Sequence, residues 1–196
     1  MHSELPGSHG CPKWGNSAIE YTVMNMNLPK RKLTRLKGYD YSTPGAYFIT
    51  ICTHNKSCLF CRILQAAPNE EIRIQYSPIG KIAKECLIDI ESHYEKLKID
   101  NWVIMPNHIH MLVRIEERAD SAPTENRYDI SNVVGKFKAA VTRNVGNAFM
   151  HSGKIWQSSF HDHIVRDERD YQMIWQYISG NPSKWLEDCF YAQEDR

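Results

Sequence analysis

Three kinds of side chain in this sequence have the types and spacing for metal and nucleophile chemistry. His108 and His110 flank Ile109. On a β-strand alternate side chains share a face. The two imidazoles would then stand side by side, with Ile109 turned into the core near Met105 or Met111. Two imidazoles on one face make a pair of ligands for a divalent cation. Tyr177 and Asn181 lie four residues apart and share a face if their segment is helical. Ile174, Trp175 and Ile178 would supply much of an opposite, buried stripe. A phenol is a nucleophile once it loses a proton held with a pKa of about 10. Taken singly, each group also has a plainer reading. The histidines fit an exposed polar strand face, Tyr177 a packing residue with a wet hydroxyl, and Asn181 a helix C-cap.

The elements that must position these groups are legible in the hydrophobic pattern. Residues 46–53 (AYFITICT) are β-branched and aromatic and predict a strand. Residues 59–64 and 72–76 predict a hairpin with Asn69 in its loop. Ser77-Pro78 reads as an N-cap followed by proline in the first turn. Ile79, Ile82, Ala83, Cys86, Leu87, Ile90 and Leu97 follow at helical spacing. Residues 99–105 and 108–115 predict two strands split by Pro106-Asn107. Ile130, Val133, Val134, Phe137, Val141 and Val145 mark a second helix, and residues 167–180 a third, opened by acids as the helix dipole prefers. Asn181-Pro182 is expected to end it, because proline pushes its predecessor away from helical geometry. The order predicts an α+β fold: a ferredoxin-like antiparallel sheet with helices packed on one face.

Composition narrows the class. A chain of 196 residues with 42% hydrophobic residues carries one full core and is not a disordered protein. No apolar run reaches the roughly 18 residues of a membrane span, and no signal-peptide pattern opens the chain, so a cytoplasmic protein is expected. Residues 1–28 read as a flexible leader punctuated by Gly7, Gly10 and Gly15, with Met24 and Met26 as candidate functional starts, and 29–196 as the domain. A net charge of +1 decides nothing, but Lys30, Arg31, Lys32, Arg35 and Lys37 form a basic run with no acid among them, suited to phosphate contacts. Lys136, Lys138 and Arg143 are weaker candidates that also fit a solvated helix face. Cys58 and Cys61 form a C-x-x-C with no second copy, which reads as reduced thiols and not as a zinc ribbon.

In combination these segments carry a resemblance. Residues 47–50 (YFIT), 102–110 (WVIMPNHIH), 155–157 (IWQ) with Phe160 and His163, Asp170-Tyr171, Tyr177-Ile178 and Asn181-Pro182 resemble, in order and separation, the single-tyrosine transposases of the His-hydrophobic-His (HUH) nuclease class, and among them the REP-associated tyrosine transposases. The resemblance covers about Leu33 to Trp185.

It implies an HUH nuclease fold, His108 and His110 as metal ligands, Tyr177 as nucleophile and Asn181 as a third, polar ligand where relatives often carry glutamine. It implies Mg²⁺ or Mn²⁺, cleavage and joining of single-stranded DNA bearing hairpins through a 5′-phosphotyrosine, and DNA transposition by a monomer or homodimer. His161 and His163 are candidates to take the tyrosine proton, with DNA contact or packing as plainer roles. Two other readings share these residues: a domesticated hairpin-binding protein with weak or no nuclease activity, and a plasmid-type replication initiator or relaxase.

Overall fold

A computed structural model of the chain describes residues 39–64, 71–117, 129–150 and 153–187. The chain divides into two units, Met1–Lys30 and Arg31–Arg196, and all described residues belong to the second. The basic run from Lys30 to Lys37, and the hairpin loop with Asn69, lie outside the described residues.

Four strands form an antiparallel sheet: β1 (Gly45–Cys52), β4 (Leu97–Ile104), β5 (His108–Ile115) and β6 (His161–Ile164), in the order β4-β5-β1-β6. A separate hairpin pairs β2 (Cys61–Leu64) with β3 (Arg73–Tyr76). The helices are α1 (Pro78–Ile88), a single turn α2 (Ile90–His93), α3 (Ile130–Phe149) and α4 (Glu168–Gly180). The expected α+β sheet with helices packed on it is the observed fold.

Strand alternation sorts the sheet into two faces. Tyr47, Ile49 and Ile51 of β1 and Ile109, Met111, Val113 and Ile115 of β5 form one core with Ala83 and Leu87 of α1 and with Val133, Val134, Phe137, Val141 and Val145 of α3. Ser77 caps α1 by accepting from the Gly80 N–H. Gly80 is required there, since a Cβ at that position would sit 1.8 Å from the Phe60 carbonyl oxygen. Asp129 caps α3 in the same way.

Two expectations are corrected. The helices are not on one face: α4 lies on the opposite face of the sheet from α1 and α3, with Tyr177 against Phe48 and His110. A helical stripe shows that a helix has a buried side but not which layer it joins. Leu97 is not helical but opens β4, because the chain leaves helical geometry at Tyr94 (φ −139°, ψ 93°). The α-helix ends at Gly180 with Asn181 as its C-cap, where it was expected to end, although Asn181 itself keeps right-handed helical geometry (φ −59°, ψ −42°) before Pro182 and the chain tightens into a 3₁₀ segment, Asn181–Glu187.

Candidate active site

The site grows out of the middle of β5. Register places Cys52 opposite His108 and Thr50 opposite His110, so Phe48, Thr50 and Cys52 share the face of the two histidines. Both imidazoles are completely buried, and their ring centroids are 4.5 Å apart at 68°. Burial costs a charged imidazole its hydration, so His110 is pushed down to about 3. His108 is held well below its usual value, first by burial and then by its neighbours His110 and Lys56. Both rings are therefore neutral at physiological pH, and a neutral imidazole carries one nitrogen lone pair that can bind a Lewis acid.

Each ring is oriented through its Nδ1. The His110 Nδ1 is 2.8 Å from the Thr50 hydroxyl, and the His108 Nδ1 is 2.9 Å from the Asn107 side-chain oxygen. Such outer contacts fix the aim of a ligating ring.

Helix α4 covers this pair. Its buried residues Ile174 and Ile178 share a stripe with half-buried Tyr177 and with Asn181, at spacing i, i+3, i+4, i+7. The expectation that Tyr177 and Asn181 oppose the buried stripe is thus corrected, and Trp175 is a rim residue, 38% exposed. The Tyr177 oxygen lies 3.5 Å from the His110 Nε2, a loose contact, and its ring packs on Phe48 and His110. Trp185, two turns on, packs on His108 with ring centroids 6.1 Å apart. Asn181 lies midway between these anchors along the chain. It is buried, and its side-chain oxygen has no hydrogen-bond partner among the described residues. An orphaned buried carbonyl oxygen calls for a partner the protein atoms do not supply. Two neutral imidazoles and an amide oxygen fit a divalent cation of borderline hardness. Among the described residues no group of three His, Cys, Asp or Glu could hold a metal.

Polar contacts latch α4 at its start and along its length. Asp170 accepts from the His163 Nε2–H (2.8 Å) and from the Arg166 N–H, tying the first turn to β6. The Tyr171 hydroxyl donates to Asp100, which is itself gripped by both forks of Arg114 at 2.9 Å. Asn101 donates to the Trp175 carbonyl and to the Ser179 hydroxyl. His163 is thereby engaged in this latch, while exposed His161 sits opposite Thr50 on the site face. Sequence reasoning missed Thr50, Asn107 and Asp100. Register opposite His110 is the signal that reveals Thr50, and it requires knowing that β1 pairs with β5.

The weaker basic candidates go elsewhere. Helix α3 packs on the other face of the sheet. The Lys138 ammonium donates to the Gln157 and Ser159 carbonyls, and Lys136 lies over the Tyr94 ring. The C-x-x-C is not an exposed pair: Cys61 is buried, donates to the Ile104 carbonyl, and burial pushes its thiol up to about 12.

Residues 65–181, a segment that holds both histidines, Tyr177 and Asn181, match the family model of IS200-like transposases. The chain belongs to this family of DNA-processing enzymes. The chain is 35% identical over 187 residues to an uncharacterised protein of Haemophilus influenzae, covering 87% of this chain and 98% of that one. It is 30% identical over 87 residues to the REP-associated tyrosine transposase of Escherichia coli, 44% of this chain and 45% of that one. Its fold is similar to that of a REP-associated tyrosine transposase solved bound to a REP hairpin, with a TM-score of 0.55, 21% identity, and coverage of 80% of this chain and 76% of that one. The resemblance read from the sequence is borne out. Among the described residues no helix is long and apolar enough to cross a membrane.

Proposed function

We propose that this transposase cuts and rejoins hairpin-bearing single-stranded DNA through a covalent bond to Tyr177, at a divalent cation held by His108, His110 and Asn181. The observation that carries this is the meeting, within one chain, of the Tyr177 oxygen and one of the two buried histidines, 3.5 Å from the His110 Nε2. A bound Mg²⁺ or Mn²⁺ supplies polarisation of the scissile phosphate and neutralises charge in the transition state.

The chain does the rest. His108 and His110, neutral and held by Asn107 and Thr50, keep their ligand geometry without reorganising. Helix α4 holds the Tyr177 phenol beside them, converting an encounter into an intramolecular attack. The Tyr177 oxygen bonds to phosphorus, the bond from phosphorus to the 3′-oxygen breaks, and the phenol's proton is balanced by one taken up on the departing 3′-oxygen. The product is a 5′-phosphotyrosine and a free 3′-hydroxyl. Because one phosphodiester is exchanged for another, a second 3′-hydroxyl attacking the same phosphorus reverses the step and joins strands. Tyr177 and both histidines come from one chain, which supports cleavage by a monomer, while a homodimer is equally compatible with the proposal. The basic run of Lys30, Arg31, Lys32, Arg35 and Lys37 is the proposed grip on the hairpin phosphates.

The test is a 3′-labelled single-stranded hairpin oligonucleotide incubated with the protein and Mn²⁺, then run on a denaturing gel. A protein–DNA adduct is expected with the native chain and none with Tyr177→Phe. That variant should keep its fold, since the lost hydroxyl contact contributes at most about 1 kcal/mol. Hairpin binding with no adduct, across metals and sequences, would instead establish a binding protein that has lost the nuclease.

A further inference from the structure

Asn107 sits in the turn between β4 and β5, 1% exposed, and bonds through its backbone carbonyl and through both ends of its side-chain amide. Its backbone carbonyl accepts from the Thr53 N–H at 2.9 Å and from the Thr53 hydroxyl at 3.0 Å. Its side-chain nitrogen donates to the Lys56 carbonyl at 3.1 Å, and its side-chain oxygen faces the His108 Nδ1 at 2.9 Å.

The direction of these bonds is forced. A backbone carbonyl only accepts, so the amide nitrogen of Asn107 must be the end that faces Lys56. The amide oxygen is then the end that faces His108, and an amide oxygen cannot donate. The hydrogen bond therefore needs a proton on the His108 Nδ1, which leaves the lone pair on Nε2. The contrast with His110 is informative. Its Nδ1 meets the Thr50 hydroxyl, which both donates and accepts, so that contact orients the ring without choosing where the proton sits.

We infer that Asn107 is a positioning residue that locks His108 in the Nδ1–H tautomer and so dedicates its Nε2 to the cation. The choice is relayed from the backbone of the loop after β1. Asn55 and Lys56 there hold left-handed geometry (φ 53° and 55°), a conformation that costs a non-glycine residue energy and is kept by surrounding contacts. Thr53 and Asn107 supply those contacts: the Thr53 hydroxyl reaches the Ser57 carbonyl at 2.8 Å, and Asn107 takes the Lys56 carbonyl. The loop and the metal ligand are thus two ends of one side chain. This role rests on the cation site proposed above, but the tautomer itself does not.

The experiment has two readouts, neither of which is cleavage. The first is the ring-nitrogen NMR spectrum of metal-free protein carrying ¹⁵N-histidine, with His108 assigned by its disappearance in His108→Ala. The expected spectrum shows a protonated Nδ1 and an unprotonated Nε2 in the native chain. A native His108 with its proton on Nε2 overturns the inference without any variant having to fold. The second is Mn²⁺ affinity by calorimetry. Asn107→Ala is expected to lose the fixed tautomer and to weaken Mn²⁺ binding by about 10- to 100-fold, the usual effect of removing an outer partner of a ligating histidine. Asn107→Asp keeps an acceptor toward Nδ1 and is expected to hold the Nδ1–H tautomer where the alanine variant does not. Native tautomer and native affinity in Asn107→Ala would overturn the role. An Nδ1–H tautomer in a native chain that binds no Mn²⁺ would leave the tautomer assignment standing and remove the cation site.

Discussion

Ile109 and His110 are neighbours on β5, yet they enter environments of opposite kind. Ile109 joins a mainly apolar layer closed by α1 and α3, where Ile49, Ile51, Met111 and Phe137 pack together and the few polar atoms, such as the Tyr47 hydroxyl, sit on aromatic rings. His110 joins a layer closed by α4, where two histidines, Thr50 and Asn181 are as buried as any leucine. The first layer is held by the non-directional gain of removing apolar surface from water. The second is held by Ile174, Ile178 and a set of directed hydrogen bonds accepted by Asp100 and Asp170 and donated by Asn101. The lesson is a division of labour across one sheet. One face makes the domain stable, and the other accepts the desolvation cost of buried imidazoles and holds its covering helix by latches.

Substitutions should separate the two faces. Ile49→Ala opens a cavity in the apolar layer and should cost about 2–5 kcal/mol in chemical denaturation. A loss under 1 kcal/mol would mean that the α1/α3 face does not carry the fold. Acid should act through the other face. His108 and His110 have folded-state values below the unfolded 6.5, so the unfolded chain binds their protons first. Their contribution is complete above about pH 6.5 and is lost as pH falls, by up to about 1.4 kcal/mol per pH unit for each ring. Metal-free protein should therefore melt at progressively lower temperature from pH 7 to pH 5, and His108→Ala/His110→Ala should flatten that slope. An equal slope in the double variant would place the acid sensitivity elsewhere.

The smallest effect should come from the latch. Asp100→Asn weakens the grip of Arg114 and Tyr171, and with Arg114 partly exposed the cost is about 1 kcal/mol. It should appear as faster hydrogen exchange in α4 with no change at Ile109 and Met111, the β5 residues of the apolar layer. Uniform loss of protection across the sheet would contradict the separation of the two layers.

Much of this was legible from residue order, for identifiable reasons. A strand's period of two is strict, so residues 108 and 110 had to share a face once β5 was recognised. The i, i+4 relation of Tyr177 and Asn181 was equally secure. What failed were inferences that depend on partners. The spacing of Ile90 and Leu97 fits a helix by coincidence, since seven residues are also close to two turns. Which side of the sheet α4 covers is a tertiary fact with no local signature. Helix α4 does end at Gly180, where Asn181-Pro182 was expected to end it, but Asn181 itself stays in right-handed helical geometry as the chain runs on into a 3₁₀ segment that holds buried Trp185. Asn107 read only as a turn residue, and its three-way role exists only when β1, its following loop and β5 are together.

The central claim is that one chain brings its own phenol and its own imidazole pair to a single cation. Anomalous diffraction at the manganese edge, from crystals of the native protein grown with Mn²⁺, tests it directly. The account predicts one strong peak contacting the His108 Nε2, the His110 Nε2 and the Asn181 side-chain oxygen, with Tyr177 of that chain beside it. A peak held by other residues, or one served by a tyrosine from a neighbouring chain, would contradict it.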